Sequence, residues 1–98
     1  MERFGEIEIH SASRRVLGRG LEIDLAPKEY DLLLALIRHR GAVVSRVQLM
    51  QEVWGYAAAV VSRTVDTHVG ELRRKLENDP ANPRHILTVR KAGYRFER

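Results

Sequence analysis

The sequence predicts an α+β fold, and three patterns along the chain carry that prediction. The first 25 residues alternate between apolar and polar side chains, which is typical of strands. Residues 26–77 contain three stretches whose apolar side chains recur at helical spacing. Residues 84–98 return to the alternating pattern around a glycine-containing turn. A chain of 98 residues is expected to form one domain, residues 1–98, built from these three regions.

The N-terminal region, residues 1–25, is predicted to form a small antiparallel meander. Ile7 and Ile9 alternate with glutamates, and the same period returns at residues 21–25. Serine and glycine clusters between the apolar segments are natural turns. The region holds five acidic residues against four arginines. A packing platform is therefore favoured here over a surface that faces a polyanion.

The first two helices are expected to begin near Pro27 and Ser45. Proline suits the first helical position, where its missing N–H has no partner anyway, but Ala26 before it offers no capping oxygen. Ser45 with Gln48 three residues later is a capping-box pattern. The apolar positions of the first helix, expected in the core, are Tyr30, Leu32, Leu33, Leu34, Leu36 and Ile37; those of the second are Val47, Met50, Val53 and Trp54.

The third helix, residues 62–77, has two faces of opposite character. Its apolar side chains recur every three or four residues and form one stripe. The other face carries cations, a hydroxyl and a glycine. The stripe consists of Val65, Val69, Leu72 and Leu76, and the outward face consists of Arg63, Thr67, Gly70 and Arg74. We expect the stripe to be buried and the outward face to meet a polyanion, most simply in the major groove of DNA.

The positive charge of the chain is concentrated after residue 61. Residues 1–61 hold eight basic and eight acidic side chains, whereas residues 62–98 hold nine basic and five acidic ones. The last region is predicted to form strands at 86–89 and 94–97, joined by a tip that contains Arg90 and Lys91. A two-faced helix followed by a basic hairpin favours binding of nucleic acid.

The side chains of the third helix can be ranked by position. Arg63, near the helix start, can reach a base or a phosphate, and Thr67 offers a hydroxyl and a methyl group to base edges. Arg73 and Lys75 are expected to contact phosphates or to extend along the apolar stripe. Asp66 would be repelled by DNA, so an intramolecular pair, for example with Arg73, is expected.

Three further positions of this helix leave alternatives open. Glu71 could accept a hydrogen bond from a cytosine amine or form a salt bridge at the rim. His68 is compatible with partial burial and with a phosphate contact. Gly70 costs about 1 kcal/mol relative to alanine inside a helix, and either close approach of a partner or simple tolerance explains its presence.

Other classes of function receive little support. The chain has no cysteine, which excludes disulfides and thiolate metal sites. Its four histidines are scattered, and it contains neither a glycine-rich phosphate loop nor a nucleophile elbow. We therefore predict no enzymatic activity, no cofactor and no metal site. The longest apolar run, residues 32–37, is too short to span a membrane, and no signal peptide is evident. A cytoplasmic protein without a membrane partner is expected.

Five motifs together resemble the winged-helix DNA-binding domain of OmpR/PhoB-type response regulators. They are PKEYDLL at 27–33, VWG at 53–55, RTVDTHV at 63–69, LRRKL at 72–76 and RKAGYRF at 90–96. The resemblance covers essentially the whole chain in the right order. It implies a winged helix-turn-helix with a four-stranded N-terminal sheet, three helices and a C-terminal hairpin wing. It also implies sequence-specific binding of double-stranded DNA for transcriptional regulation, as the output domain of a phosphorelay.

The resemblance and the ranking above define the expected contacts. The third helix, as recognition helix, would enter the major groove, and the wing would lie at the minor groove. The expected DNA-binding residues are Arg63, Thr64, Thr67, His68, Gly70, Glu71, Arg73 and Arg74 on the helix, and Thr88, Arg90, Lys91, Gly93 and Tyr94 on the wing. The resemblance adds a phosphate contact at Trp54 and an RNA polymerase contact through Gly55, Tyr56, Val60 and Val61.

The sequence departs from the family pattern at four positions. Ala26 replaces the usual capping threonine, which allows the first helix to fray, and Lys91 replaces a frequent glycine of the wing. Gly70 and Glu71 stand where relatives are often polar or basic, so base preference does not transfer. No receiver domain is present in the sequence, so we expect either a receiver in cis in a longer protein or a stand-alone regulator. Dimerisation on DNA is a further expectation.

The connector after the second helix, residues 55–61, supports an alternative function. It is apolar and uncharged, whereas loops usually face water and are polar. It is compatible with packing against the core and with contact to a protein partner. In the second case the chain would be a winged-helix protein-interaction module, for example for RNA polymerase.

Overall fold

A computed structural model of the chain describes residues 1–55 and 62–98, and the side chains of the last helix from Arg63 onward. Four strands come first, then three helices, then two strands. The elements are β1 (Glu2–Phe4), β2 (Ile7–His10), β3 (Arg15–Gly18), β4 (Leu21–Ile23), α1 (Pro27–Arg38), α2 (Arg46–Trp54), α3 (Ser62–Leu76), β5 (Ile86–Val89) and β6 (Gly93–Phe96). This is the predicted winged helix-turn-helix arrangement.

The first four strands form an antiparallel sheet in the order β1-β2-β3-β4. Because side chains alternate along a strand, one face buries Phe4, Ile7, Ile9 and Val16, and the other is polar apart from Leu17. Phe4 packs edge-on against Phe96 of β6, with ring centroids 4.9 Å apart. The sheet therefore forms a platform that supports the base of the C-terminal hairpin.

Helix α1 is the central helix, as its apolar arc predicts, because it packs against α2, α3 and β6. Its core positions include Ala35, which the sequence pattern missed, whereas Leu34 and Ile37 are only partly buried. The expected fraying at Ala26 is offset by Glu29, whose Oε1 accepts a hydrogen bond from the Ala26 N–H at 3.0 Å. The helix ends at Arg38, earlier than expected from the run of basic residues.

Helix α2 begins as predicted, with Ser45 Oγ accepting a hydrogen bond from the Gln48 N–H. The predicted stripe was wrong at its first position, because Val47 is 56% exposed while Leu49 is fully buried. In a helix of nine residues a few apolar side chains fit two overlapping stripes, and packing selects between them. Val53 is buried, and Met50 and Trp54 are partly buried against the core.

The stripe of α3 is confirmed, since all four of its members are less than 9% exposed: Val65, Val69, Leu72 and Leu76. After α3, strands β5 and β6 pair as an antiparallel hairpin. Val44 joins its outer edge through two backbone hydrogen bonds with Tyr94, of 2.8 and 3.0 Å. The hairpin is thus held by the segment that leads into α2.

Residues 56–61 lie outside the described part of the chain, and with them the predicted polymerase-contact residues Tyr56, Val60 and Val61. Gly55, the first residue of that connector, is exposed and adopts a positive φ of 97°. Its N–H donates to the Gln51 carbonyl and closes α2. In the described ranges, no helix is long and apolar enough to cross a membrane.

Candidate nucleic-acid interface

The outward face of α3 is exposed along its whole length. Its four members, Arg63, Thr67, Gly70 and Arg74, lie opposite the buried stripe, as the helical period requires. The Thr67 hydroxyl donates to the Arg63 carbonyl one turn earlier, at 3.0 Å. This bond leaves the hydroxyl oxygen available as an acceptor.

Glu71 forms the salt bridge that was one of its two expected roles. Its carboxylate binds the Arg74 guanidinium through two hydrogen bonds, Nη2–Oε1 at 2.8 Å and Nε–Oε2 at 3.2 Å. These bonds lower the pKa of Glu71 and raise the pKa of Arg74. Both groups are exposed, so the pair is weak and can rearrange when a partner arrives.

Arg73 is directed toward the hairpin. Its Nε donates to the Ile86 carbonyl at 2.9 Å, and its Nη2 donates to Thr88 Oγ1 at 2.7 Å. The guanidinium also lies 5.7 Å from the centre of the Tyr94 ring. Arg73 and Thr88, two predicted contact residues, therefore bind each other and join α3 to β5.

The expected intramolecular pair of Asp66 is present, but its partner is not Arg73. Asp66 Oδ1 instead accepts from Arg46 Nε at 2.9 Å and from the Tyr94 hydroxyl at 2.6 Å. Arg46, at the start of α2, was not singled out in the sequence, because a partner 20 residues away leaves no local signal. Lys75 is also used within the fold, since its Nζ binds Glu29 Oε1 at 2.7 Å and the Asp24 carbonyl at 2.9 Å.

His68 and Trp54 form an aromatic edge beside α3. Their ring centroids are 5.0 Å apart in an edge-to-face arrangement, and both residues are half-buried. His68 Nδ1 lies 2.8 Å from the Thr64 carbonyl oxygen. That contact orients the ring along the helix and leaves Nε2 as its second polar atom. Thr64 itself is half-buried.

The hairpin tip presents two exposed cations, Arg90 and Lys91. Lys91 adopts a left-handed conformation, with φ of 64°, which glycine adopts more readily than lysine. Of the other three predicted wing residues, Thr88 binds Arg73, and Gly93 and Tyr94 pack within the fold. Gly93 packs so closely on Val44 that an added Cβ would lie 2.0 Å from the Val44 carbonyl oxygen. Tyr94 is 6% exposed, and its burial, followed by the hydrogen bond to Asp66, raises its pKa above the ordinary 10.0.

The predicted contact residues thus fall into two groups. The exposed group lies on the outward face of α3 and at the hairpin tip: Arg63, Thr67, Gly70, Glu71, Arg74, Arg90 and Lys91. The second group joins α3, the aromatic edge and the hairpin, and consists of Trp54, Thr64, His68, Arg73, Thr88, Gly93 and Tyr94. Members of the second group are buried or half-buried, except Thr88, which is exposed but binds Arg73 through its hydroxyl.

The chain matches the family model described as "Transcriptional regulatory protein, C terminal" over residues 20–96. It is 44% identical over 86 residues to the transcriptional regulatory protein KdpE of Mycobacterium tuberculosis, covering 88% of this chain and 38% of KdpE. The chain spans about two fifths of the length of the curated relatives it matches.

Solved structures give the same picture. The DNA-binding domain of Klebsiella pneumoniae RstA, in complex with the RstA box, has a TM-score of 0.84 and 32% identity, covering 97% of this chain and 94% of that one. The response regulator DrrB, a Thermotoga maritima OmpR/PhoB homolog, has a TM-score of 0.89 and 36% identity, covering 97% of this chain and 43% of DrrB. Both the sequence motifs and the backbone geometry therefore converge on one family.

Proposed function

Because the chain belongs to the family of C-terminal domains of transcriptional regulatory proteins, with the winged-helix fold of OmpR/PhoB-type response regulators, we propose that it binds double-stranded DNA sequence-specifically to regulate transcription. One observation carries the proposal: the hydrogen bonds of Arg73 to Ile86 and Thr88 hold α3 beside β5. Two exposed cationic surfaces therefore lie on neighbouring elements. These surfaces are the outward face of α3 and the hairpin tip.

A helix beside a cationic hairpin suits the two grooves of B-DNA. A single helix fits the major groove, while the narrower minor groove admits a slim cationic probe. With α3 in the major groove, Arg63 and Thr67 lie nearest the bases, and Arg90 and Lys91 reach the adjacent minor groove. Trp54 and His68 lie beside α3, where they would contact the DNA phosphates. Arg74 becomes available to DNA when it exchanges the Glu71 carboxylate for a base or a phosphate.

The remaining predicted residues support the interface from behind. Arg73, Thr88, Gly93 and Tyr94 fix the angle between helix and hairpin.

We propose that the chain is the output domain of a longer response regulator, with a receiver domain in cis and dimerisation on DNA. A protein that binds the chromosome of a bacterial cell acts in the cytoplasm. This location follows from the DNA-binding role.

Removal of either key cation tests the proposal. We expect Arg63→Ala to weaken binding to selected DNA by about tenfold or more and to relax specificity, and Arg90→Ala to weaken binding with less effect on sequence preference. Each variant should reduce the slope of log affinity against log salt by about one. Fluorescence anisotropy titrations at several salt concentrations measure both quantities.

Arg15→Ala is the matched control, because it removes one cation from the four-stranded sheet, where Arg15 pairs with Glu22. It should bind DNA nearly as well as the parent. If Arg63→Ala and Arg90→Ala bind like Arg15→Ala, the proposed interface is wrong. If the parent lacks salt-dependent DNA affinity altogether, the proposed function is wrong.

Gly70→Ala tests how closely DNA approaches the middle of α3. In the described part of the chain, a Cβ at Gly70 would meet no atom within 4 Å, so the fold itself has no need of glycine there. We expect the variant to gain about 0.5–1 kcal/mol in free energy of unfolding, yet to bind DNA several-fold more weakly. Urea unfolding tests the expected gain in stability, and anisotropy titration tests the expected loss of DNA affinity. Unchanged affinity would mean that Gly70 is merely tolerated.

A further inference from the structure

We propose that Asp66 is a positioning residue for DNA recognition, because it holds α2, α3 and the hairpin at the mutual angle that lets helix and wing bind DNA together. The inference rests on the proposed function. Asp66 is on the recognition helix but touches two other elements, Arg46 of α2 and Tyr94 of β6. Both contacts use the same oxygen, Oδ1.

The two hydrogen bonds that Asp66 accepts are both short. The Tyr94 hydroxyl donates at 2.6 Å and Arg46 Nε donates at 2.9 Å, which are the short distances typical of bonds to a carboxylate. The Tyr94 side chain is almost fully buried and the Asp66 side chain is about one-third exposed. Loss of the carboxylate charge would therefore weaken both bonds and leave a buried hydroxyl with a poorer acceptor.

Arg73 forms a second attachment between α3 and the same part of the hairpin. Arg73 lies seven residues after Asp66, so it projects from the same side of α3 about 10 Å further along the axis. It binds Thr88, and Thr88 is the cross-strand partner of Tyr94. Two points of one helix thus hold one cross-strand pair of the hairpin.

This convergence matters because the cationic tip begins just beyond the braced pair. Arg90 follows Thr88 by two residues, and Gly93 precedes Tyr94 directly. Two separated attachments fix the direction of the hairpin relative to the helix, whereas a single attachment allows it to pivot. Without Asp66 the tip would still be charged and exposed, but it would no longer be held where the minor groove lies when α3 occupies the major groove.

The direction in which Asp66→Asn changes DNA affinity distinguishes a positioning role from a purely electrostatic one. Asp66→Asn removes a negative charge from the recognition helix, and this change alone should strengthen binding to DNA. A positioning role predicts the opposite, a loss of about tenfold in affinity accompanied by a shallower salt slope. Glu52→Gln is the control for the loss of one negative charge, because Glu52 lies on α2, pairs with His39 and Arg38, and is not among the proposed DNA contacts. It should bind as tightly as the parent or more tightly.

A double-mutant cycle tests the mechanism directly. In the parent, Arg90→Ala should cost about tenfold in affinity, but in the Asp66→Asn background it should cost about threefold or less, because the wing contact is already lost. Arg63→Ala, on the helix itself, should cost the same in both backgrounds. Tyr94→Phe retains the ring and its packing, and should reproduce the reduced cost of Arg90→Ala. Urea unfolding of every variant corrects the affinities for the folded fraction.

Three results would overturn the inference. They are full additivity of Arg90→Ala with Asp66→Asn, a gain in affinity on Asp66→Asn, and an Arg90→Ala variant that binds like the parent. The proposed function is tested separately by Arg63→Ala in the parent background. If that variant loses affinity while the cycle is additive, the chain binds DNA without Asp66 acting as a positioning residue.

Discussion

Gly93→Ala is expected to destabilise the chain by roughly 3 kcal/mol or more, because it combines a steric overlap with an unfavourable backbone conformation. An added Cβ would lie 2.0 Å from the Val44 carbonyl oxygen and 2.8 Å from its carbon, and Gly93 has a φ of 140°. Val44 cannot retreat without breaking its two hydrogen bonds with Tyr94. The hairpin would therefore detach from the segment before α2.

Urea or thermal unfolding measures this loss, and Gly20→Ala is its matched control. Gly20 also has a positive φ, of 79°, but a Cβ there would meet no atom within 4 Å in the described part of the chain. The control has the conformational cost without the overlap. An equal loss of stability in the two variants would contradict the proposed steric role of Gly93.

Glu77→Ala is expected to cost about 3 kcal/mol, because its buried carboxylate accepts three backbone hydrogen bonds that would lose their partner. Glu77 is 7% exposed. Its Oε1 accepts from the Arg84 N–H at 2.9 Å, and its Oε2 accepts from the N–H groups of His85 and Ile86 at 3.0 and 2.8 Å. One side chain thus ties the end of α3 to the first residues of the hairpin.

The loss should appear in chemical unfolding as a lower midpoint. Glu77→Gln should fall between parent and alanine, since the amide keeps one acceptor but turns donors toward backbone N–H groups. Glu97→Ala is the control: that exposed carboxylate pairs with Arg95, and its removal should cost less than about 1 kcal/mol. If Glu77→Ala is as stable as Glu97→Ala, the three bonds do not hold the hairpin.

The prediction of secondary structure from sequence succeeded where the signal is local. The stripe of α3 follows from a period that any buried helix face must obey, and the hairpin follows from alternation around a turn. The resemblance supplied the four strands of the sheet. Helix α2 was predicted less well, because its nine residues allow both Val47 and Leu49 to be placed toward the core. Only contact with α1 and α3 decides which one is buried.

Those features of the candidate site that depend on local sequence could also be predicted. Exposure of Arg63, Thr67, Gly70 and Arg74 could be predicted, since it is the complement of the stripe. The Glu71–Arg74 bridge was among the expected alternatives because its partners are three residues apart on one helix.

Partners from distant parts of the chain could not be predicted from the sequence. Asp66 binds Tyr94 across 28 residues, Lys75 binds Glu29 across 46, and Arg73 binds Thr88 across 15. A charged side chain pairs with whichever group the packing of other elements brings within about 3 Å, and sequence spacing carries no record of that approach. The sequence by itself therefore determined the elements, their buried faces and the basic character of the recognition surface. The tertiary structure alone decided which cations remain on that surface and which bind the frame that aims it.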